Sequence, residues 1–323
     1  MTLRWGAFVP QGWKLELAGL GAAEAWDTAK QVALRAEELG YDHLWVYDHV
    51  ETVPRREPEH VFETWTMLSA LAMVTTRAGL GQLVTCASYR NPAMLAKQAA
   101  CVDVFSGGRL IFGIGAGWYH EEYAAYGWPY LRDGERLAYL DETLHAIRLL
   151  WTEQQATYAG QQVRLEGAFC DPKPLQKLPP IWVGGEGEKV TLRIAARHAD
   201  ATNWQVGLDS FIHKSGVLRK HCDDLGREFD SIIRTHGPDC QIFDSDAEFQ
   251  RWLASPQGGS LGGGGDPEVY ARDNFVGTVE QVIDKVQGFA DAGCKEFVLW
   301  FRDYPRTESL ERFIAEVAPK ISA

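Results

Sequence analysis

A carboxylate followed at once by an imidazole, Asp48-His49, stands where an apolar run, His43 to Tyr47, gives way to polar residues. Such a pair can orient a substrate and exchange a proton with it near neutral pH. A helix-capping aspartate beside a loop histidine is the plain alternative. Gly113-Ile114-Gly115-Ala116-Gly117 alternates glycines, which expose backbone N–H groups and let a flat ring or a phosphate approach the main chain. The dinucleotide fingerprint would need glycine at position 118, which is Trp118, so that motif is excluded and a tight turn is the alternative. Gly184-Gly185-Glu186-Gly187 precedes a helical pattern and could seat an anion at a helix N-terminus, provided that Glu186 and Glu188 turn outward. Trp118, Tyr119, Trp182, Trp204 and Trp300 fall at or near apolar runs, and Trp118, Trp204 and Trp300 are candidates to wall a pocket for a planar or apolar ligand.

Other chemistries find little support. The nine histidines include no i, i+4 pair on a helical pattern, so no metal site is expected. Neither a nucleophile elbow nor a phosphate loop ending in Gly-Lys-Ser/Thr occurs. With 32 basic and 44 acidic side chains the net charge is −12, which disfavours a nucleic-acid partner. No apolar run is long enough for a membrane helix, and Met1 to Gln11 does not read as a secretion signal. The six cysteines have no short paired spacing and read as reduced thiols, which suggests a cytoplasmic protein.

These residues must be placed by a repeating framework, and the chain supplies one. Short β-rich runs alternate with amphipathic segments: strands at Arg4–Val9, His43–Tyr47, Leu80–Thr85, Leu110–Gly113, Pro180–Val183, Ala201–Trp204, Ile233–Phe243 and Phe297–Phe301. Helices are expected over Ala25–Leu39, Thr64–Val74, Pro92–Cys101, Glu135–Trp151, Lys189–Arg197, Ser210–Leu225, Val279–Ala292 and Ser309–Val317. Eight β–α pairs in 323 residues predict a single (β/α)8 TIM barrel spanning 1–323. Insertions break the rhythm after strand 4, where Thr157–Leu165 reads as a hairpin, and after strand 7, at about 245–276. The second insertion contains the glycine-rich stretch Ser255–Asp266, expected to act as a lid over the barrel mouth.

Taken together, Asp42-His43-Leu44-Trp45-Val46-Tyr47-Asp48-His49, Ser88-Tyr89-Arg90-Asn91-Pro92, Ser106-Gly107-Gly108-Arg109-Leu110, Gly113 to Trp118 and Pro180-Ile181-Trp182-Val183-Gly184-Gly185 resemble the bacterial luciferase-like flavin and deazaflavin oxidoreductases. The resemblance is to the branch that uses coenzyme F420. It implies that Asp48 contacts the deazaflavin or its ribityl chain and that His49 transfers a proton at the reacting carbon. It also implies a non-proline cis peptide at Gln82–Leu83 that props the ring, a hydrogen bond from Thr85, contacts from Ala116 and Gly117, and a phosphate held by Gly184, Gly185 and Gly187. Sugar-phosphate dehydrogenase relatives carry a glutamate where this chain has Trp118, which leaves the second proton carrier open; Glu121 and Glu122 read as a solvated helix start. The implied activity is hydride transfer between F420 and a small organic substrate, by a homodimer. The alternative is an FMN-dependent monooxygenase using reduced flavin and oxygen, and a third reading is a flavin-binding paralogue without turnover.

Overall fold

The computed structural model describes residues 2–53, 55–255 and 266–322. Eight strands form the expected barrel: β1 (Arg4–Phe8), β2 (His43–Val46), β3 (Gly79–Gln82), β5 (Leu110–Gly115), β8 (Ile181–Gly184), β9 (Ala201–Trp204), β10 (Ile233–His236) and β13 (Glu296–Phe301). Each pairs in parallel with its neighbours in that order, and β1 closes on β13 with Arg4 opposite Glu296 and Ala7 opposite Leu299. Helices lie between successive strands and cover the sheet from outside. Every residue of β2, β5 and β13 is therefore buried, as expected for strands packed on both faces.

The lumen is filled by side chains. Trp45 and Trp182 meet there with ring centroids 4.5 Å apart. The strands flanking β2 make room for this bulk, since a Cβ at Gly6 or Gly81 would come within 2.5 Å of the Trp45 ring. The first outer helix, Ala22–Leu39, shows the matching economy: Ala25, Ala29, Val32, Ala33 and Ala36 face the sheet, and Gly40 ends the helix at φ 99°.

Three features depart from the sequence reading. The third strand is interrupted: β3 stops at Gln82, and the chain resumes as β4 (Thr85–Cys86), paired with β5. The cis peptide lies at Leu83–Val84, one bond beyond the expected Gln82–Leu83. The reason is register, because the Leu83 N–H still donates to the Val46 carbonyl at 2.9 Å and so holds Gln82–Leu83 in the ladder. The run Ile233–Phe243 is two strands, β10 and β11 (Asp239–Phe243), separated at Gly237-Pro238, where proline lacks a ladder donor.

Insertions sit where expected. After β5 comes an antiparallel hairpin of β6 (Ala156–Ala159) and β7 (Arg164–Ala168). After β11 come helices Asp246–Leu253 and Pro267–Asp273, then β12 (Phe275–Thr278), which pairs with β11. Phe243, Phe249, Leu253, Ala271 and Val276 give this region its own small core. The glycine-rich stretch proposed as a lid lies, apart from its ends, outside the described residues.

Candidate active site

The chain leaves β2 as Tyr47-Asp48-His49 at the C-terminal face of the barrel, where βα loops converge. A cavity of about 640 Å3 opens there, lined by residues that follow β1, β2, β3, β4, β5, β8 and β9. Its size suits a cofactor or drug-sized ligand.

His49 is held on two sides. Its ring stacks on Trp13, with centroids 4.3 Å apart and planes within 3°. Its Nδ1 lies 2.8 Å from Glu122 Oε2. The same oxygen accepts the Tyr89 hydroxyl at 2.7 Å, while Oε1 accepts the N–H groups of Val50 and Glu51 at 2.8 and 3.0 Å. Burial pushes the Glu122 carboxyl up. The His49 hydrogen bond and charge, the Tyr89 hydroxyl and the Glu51 N–H outweigh it and hold the group below its ordinary range. A carboxylate acceptor at Nδ1 assigns the imidazole proton to that nitrogen and leaves Nε2 as the ring nitrogen not tied to Glu122.

Glu122 is fully buried, whereas the sequence suggested a solvated helix start. It sits on the helix His120–Tyr126, in whose first turn His120 and Glu121 are exposed while Glu122 and Tyr123 are buried. One sequence signal was present. Tyr119, Glu122, Tyr123 and Tyr126 fall three or four residues apart, so the carboxylate shares a helical face with aromatic rings.

Asp48 lines the cavity but is engaged by protein groups. Arg90 binds it with both Nη atoms, at 2.7 and 2.8 Å, and the Cys86 N–H donates at 2.8 Å. Arg90 also pairs with Glu63 at 2.6 Å, so the aspartate belongs to a carboxylate–guanidinium–carboxylate chain. Arg90 stood in a motif that carried the resemblance but was given no role there, and Glu63 was not singled out from the sequence.

The glycines take a role other than the one read from their spacing. A Cβ at Gly115 or Gly184 would fall 2.7 Å from the Val84 side chain, and one at Gly113 would overlap the Gln82 carbonyl. Gly113, Gly115 and Gly184 therefore accommodate the protein's own bulge after β3, which raises Leu83 and Val84 into the cavity wall. Gly117 and Gly185 need their type for conformation, at φ 78° and 127°.

Leu83, Ala116, Gly117, Trp118, Gly184 and Gly185 join Asp48 and His49 in the lining. Gln82 and Thr85 are buried just outside it, and their side-chain polar atoms have no protein partner. Gly187 lies beyond the lining. Trp204 and Trp300 do not reach the cavity. Strand parity sends Asn203 inward and Trp204 outward against Phe211, while Trp300 packs behind the wall on Phe8 and Tyr47. Trp118 is 62% exposed at the rim, with its ring edge-on to His49. Among the described residues no group of His, Cys, Asp and Glu could hold a metal ion, and no helix is long and apolar enough to cross a membrane.

Comparison with known proteins fits this geometry. An uncharacterized protein of Mycobacterium tuberculosis is 31% identical over 188 residues, which are 54% of this chain and 66% of that one. An F420-dependent glucose-6-phosphate dehydrogenase of Gordonia bronchialis is 26% identical over 95% of this chain and 98% of its own. Among solved structures, an F420-dependent secondary alcohol dehydrogenase in complex with an F420-acetone adduct superposes over the full length of both chains with a TM-score of 0.84 at 19% identity. The family model for luciferase-like monooxygenases matches residues 11–209, well over half the sequence, and the chain belongs to that family.

Proposed function

We propose that the chain is a coenzyme F420-dependent oxidoreductase that passes hydride between the deazaflavin and a small organic substrate, with His49 carrying the accompanying proton. The observation that carries the reading is the His49–Glu122 pair, fixed at the wall of the barrel-mouth cavity in a chain that aligns over 95% of its length with an F420-dependent dehydrogenase.

The residues present fit such a group. The cavity has room for a tricyclic ring and its side chain, and the bulge at Leu83-Val84 supplies an apolar surface for a ring. Trp13 and Tyr47 line the cavity, and the Trp13 Nε1 and the Tyr47 hydroxyl are buried without protein partners. When bound, the deazaflavin supplies the carbon that gives or takes hydride.

The protein's part is position and a proton. Trp13 sets the plane of the His49 ring, and Glu122 sets its tautomer. Nε2 is then the atom that gives a proton to, or takes one from, the substrate oxygen as that oxygen changes charge. The Glu122 carboxylate stabilises the imidazolium during the transfer, and Tyr89 keeps that carboxylate ionised and oriented. Trp118 and Tyr119 shield the site and offer a planar surface to the substrate body.

An anaerobic assay of substrate alcohols and ketones against oxidised and reduced F420 tests this. Substrate-dependent change in deazaflavin absorbance without oxygen is the expected result. Activity that requires both reduced FMN and oxygen would replace the reading with the monooxygenase alternative.

A further inference from the structure

Trp13, which stacks on His49, is itself attached to a charged cluster that the proton transfer does not use. The backbone around it is pinned by Glu16, whose carboxylate accepts the N–H groups of Gln11, Gly12 and Lys14 at 2.8, 2.7 and 2.8 Å. The indole has no such bond, because its buried Nε1 lacks a protein partner. Its setting therefore rests on packing and on the next residue, Lys14. The Lys14 ammonium lies among three rings, 5.3 Å from the Trp13 centroid, 5.9 Å from Tyr47 and 5.0 Å from Trp300.

That ammonium is anchored by Asp239, the first residue of β11, which accepts from it at 3.3 Å. The other carboxylate oxygen accepts the Tyr270 hydroxyl at 2.6 Å and lies 3.6 Å from the Arg302 guanidinium. Burial pushes the Asp239 carboxyl up. The Lys14 and Arg302 charges and the Tyr270 hydroxyl outweigh it and hold the group below its ordinary range. Tyr270 stands on the helix Pro267–Asp273, and the Asp239 N–H donates to the Asn274 side chain at 2.9 Å. A continuous set of contacts thus runs from the second insertion through Tyr270, Asp239, Lys14 and Trp13 to His49.

We propose that Lys14, anchored by Asp239, is a positioning residue for the proton transfer: it fixes the Trp13 ring against His49 and so keeps Nε2 aimed at the substrate oxygen. This rests on the reading of His49 as the proton carrier. Stacked rings attract one another over a range of offsets, so a stack alone leaves the indole free to slide, and the cation–carboxylate pair removes that freedom.

The test pairs kinetics with a view of the stack. Lys14→Met keeps an unbranched chain over the rings but removes the charge, and Asp239→Asn removes the anchor. Each is expected to lower kcat by about 10-fold with F420 affinity unchanged, as a slight misplacement of a reacting group would, and Lys14→Arg to restore most of the loss. Proton NMR of protein with labelled histidine reports the stack without any cofactor, and His49→Asn identifies the His49 ring signal. In the wild type that signal should lie upfield of its position in Trp13→Leu, because the imidazole faces the indole. Lys14→Met and Asp239→Asn should move it toward the Trp13→Leu position, and Lys14→Arg should return it. An unmoved signal in Lys14→Met overturns the proposal, as does a loss of cofactor affinity as large as the loss in kcat. A moved signal with unchanged kcat also overturns it if His49→Asn loses turnover. If His49→Asn keeps full turnover, the proton-carrier reading is what fails, and the moved signal still supports the anchoring of Trp13. Should either variant fail to fold, the other carries the test.

Discussion

Strand β2 opens on His43, and the loop that leaves it carries His49. Each imidazole lies beside a glutamate, yet the two pairs behave in opposite ways. At the lower end, His43 Nδ1 is 3.5 Å from Glu296 Oε2, too far for a good hydrogen bond. Burial, with a smaller contribution from the Arg4 charge, drives His43 down to about 3, so the ring is neutral. Burial also pushes Glu296 up, although Arg4 opposes it. At the mouth, Glu122 is as deeply buried but accepts hydrogen bonds from His49, Tyr89 and two backbone N–H groups, and it stays ionised. Two buried His–Glu pairs, at the start of β2 and just past its end, thus differ in where the donors fall: Arg4 supplies both donors of Glu296 and both go to Oε1, leaving Oε2 facing His43 without one, whereas both oxygens of Glu122 are served. The oxygen toward the ring is bonded at the mouth and unbonded at the lower end, where the His43 pair is a packing element.

The contrast can be broken first at His49. His49→Asn is expected to lower turnover by about 100-fold or more while retaining cofactor binding, as measured by steady-state kinetics at saturating cofactor. A KM effect alone would make His49 a binding residue. Glu122→Gln keeps the shape of the carboxyl but removes its charge, and we expect a loss of about 10-fold in kcat. Glu122→Ala would strand the Tyr89 hydroxyl and two N–H groups, destabilising the fold by about 3 kcal/mol or more in denaturant melts.

Stability against pH sharpens the comparison. The folded-state value of Glu122 lies below 4.5, so its stabilisation is complete above 4.5 and disappears as pH falls through the folded value. The stability gap between the wild type and Glu122→Gln should therefore narrow only below about pH 4.5. His43 acts earlier. Its value is 6.5 when unperturbed and about 3 in the fold, so between those values the unfolded chain binds the extra proton and stability falls as pH drops. That slope, at most about 1.4 kcal/mol per pH unit, should be missing from His43→Gln in melts across the same window. Smallest of all, Trp118→Ala should leave the melting temperature nearly unchanged, because the ring is exposed, and should raise substrate KM by about 3- to 10-fold.

The barrel was legible because alternation of strand and helix is local, and the place of Asp48-His49 at the barrel-mouth cavity because it follows the end of a strand. What escaped was set by contacts between distant segments. Glu122 follows a glycine turn and looks solvated until Tyr89 and the His49–Glu51 loop close over it. The glycines of β5 and β8 read as open backbone, but their space is taken by Val84 from the neighbouring bulge. Trp204 and Trp300 were misplaced by a question of which side of a strand each residue faces, which a count of tryptophans does not answer. The cis bond was off by one residue because a ladder hydrogen bond from Leu83 to Val46 extends the strand beyond its apparent end.

The most direct measurement is an equilibrium titration of wild-type protein and His49→Asn with F420 and with FMN, followed by cofactor fluorescence. The account predicts that F420 saturates both proteins with the same affinity and that FMN binds far more weakly. Tighter binding of FMN than of F420, or loss of F420 affinity in His49→Asn, would contradict a deazaflavin site in which His49 serves the proton rather than the cofactor.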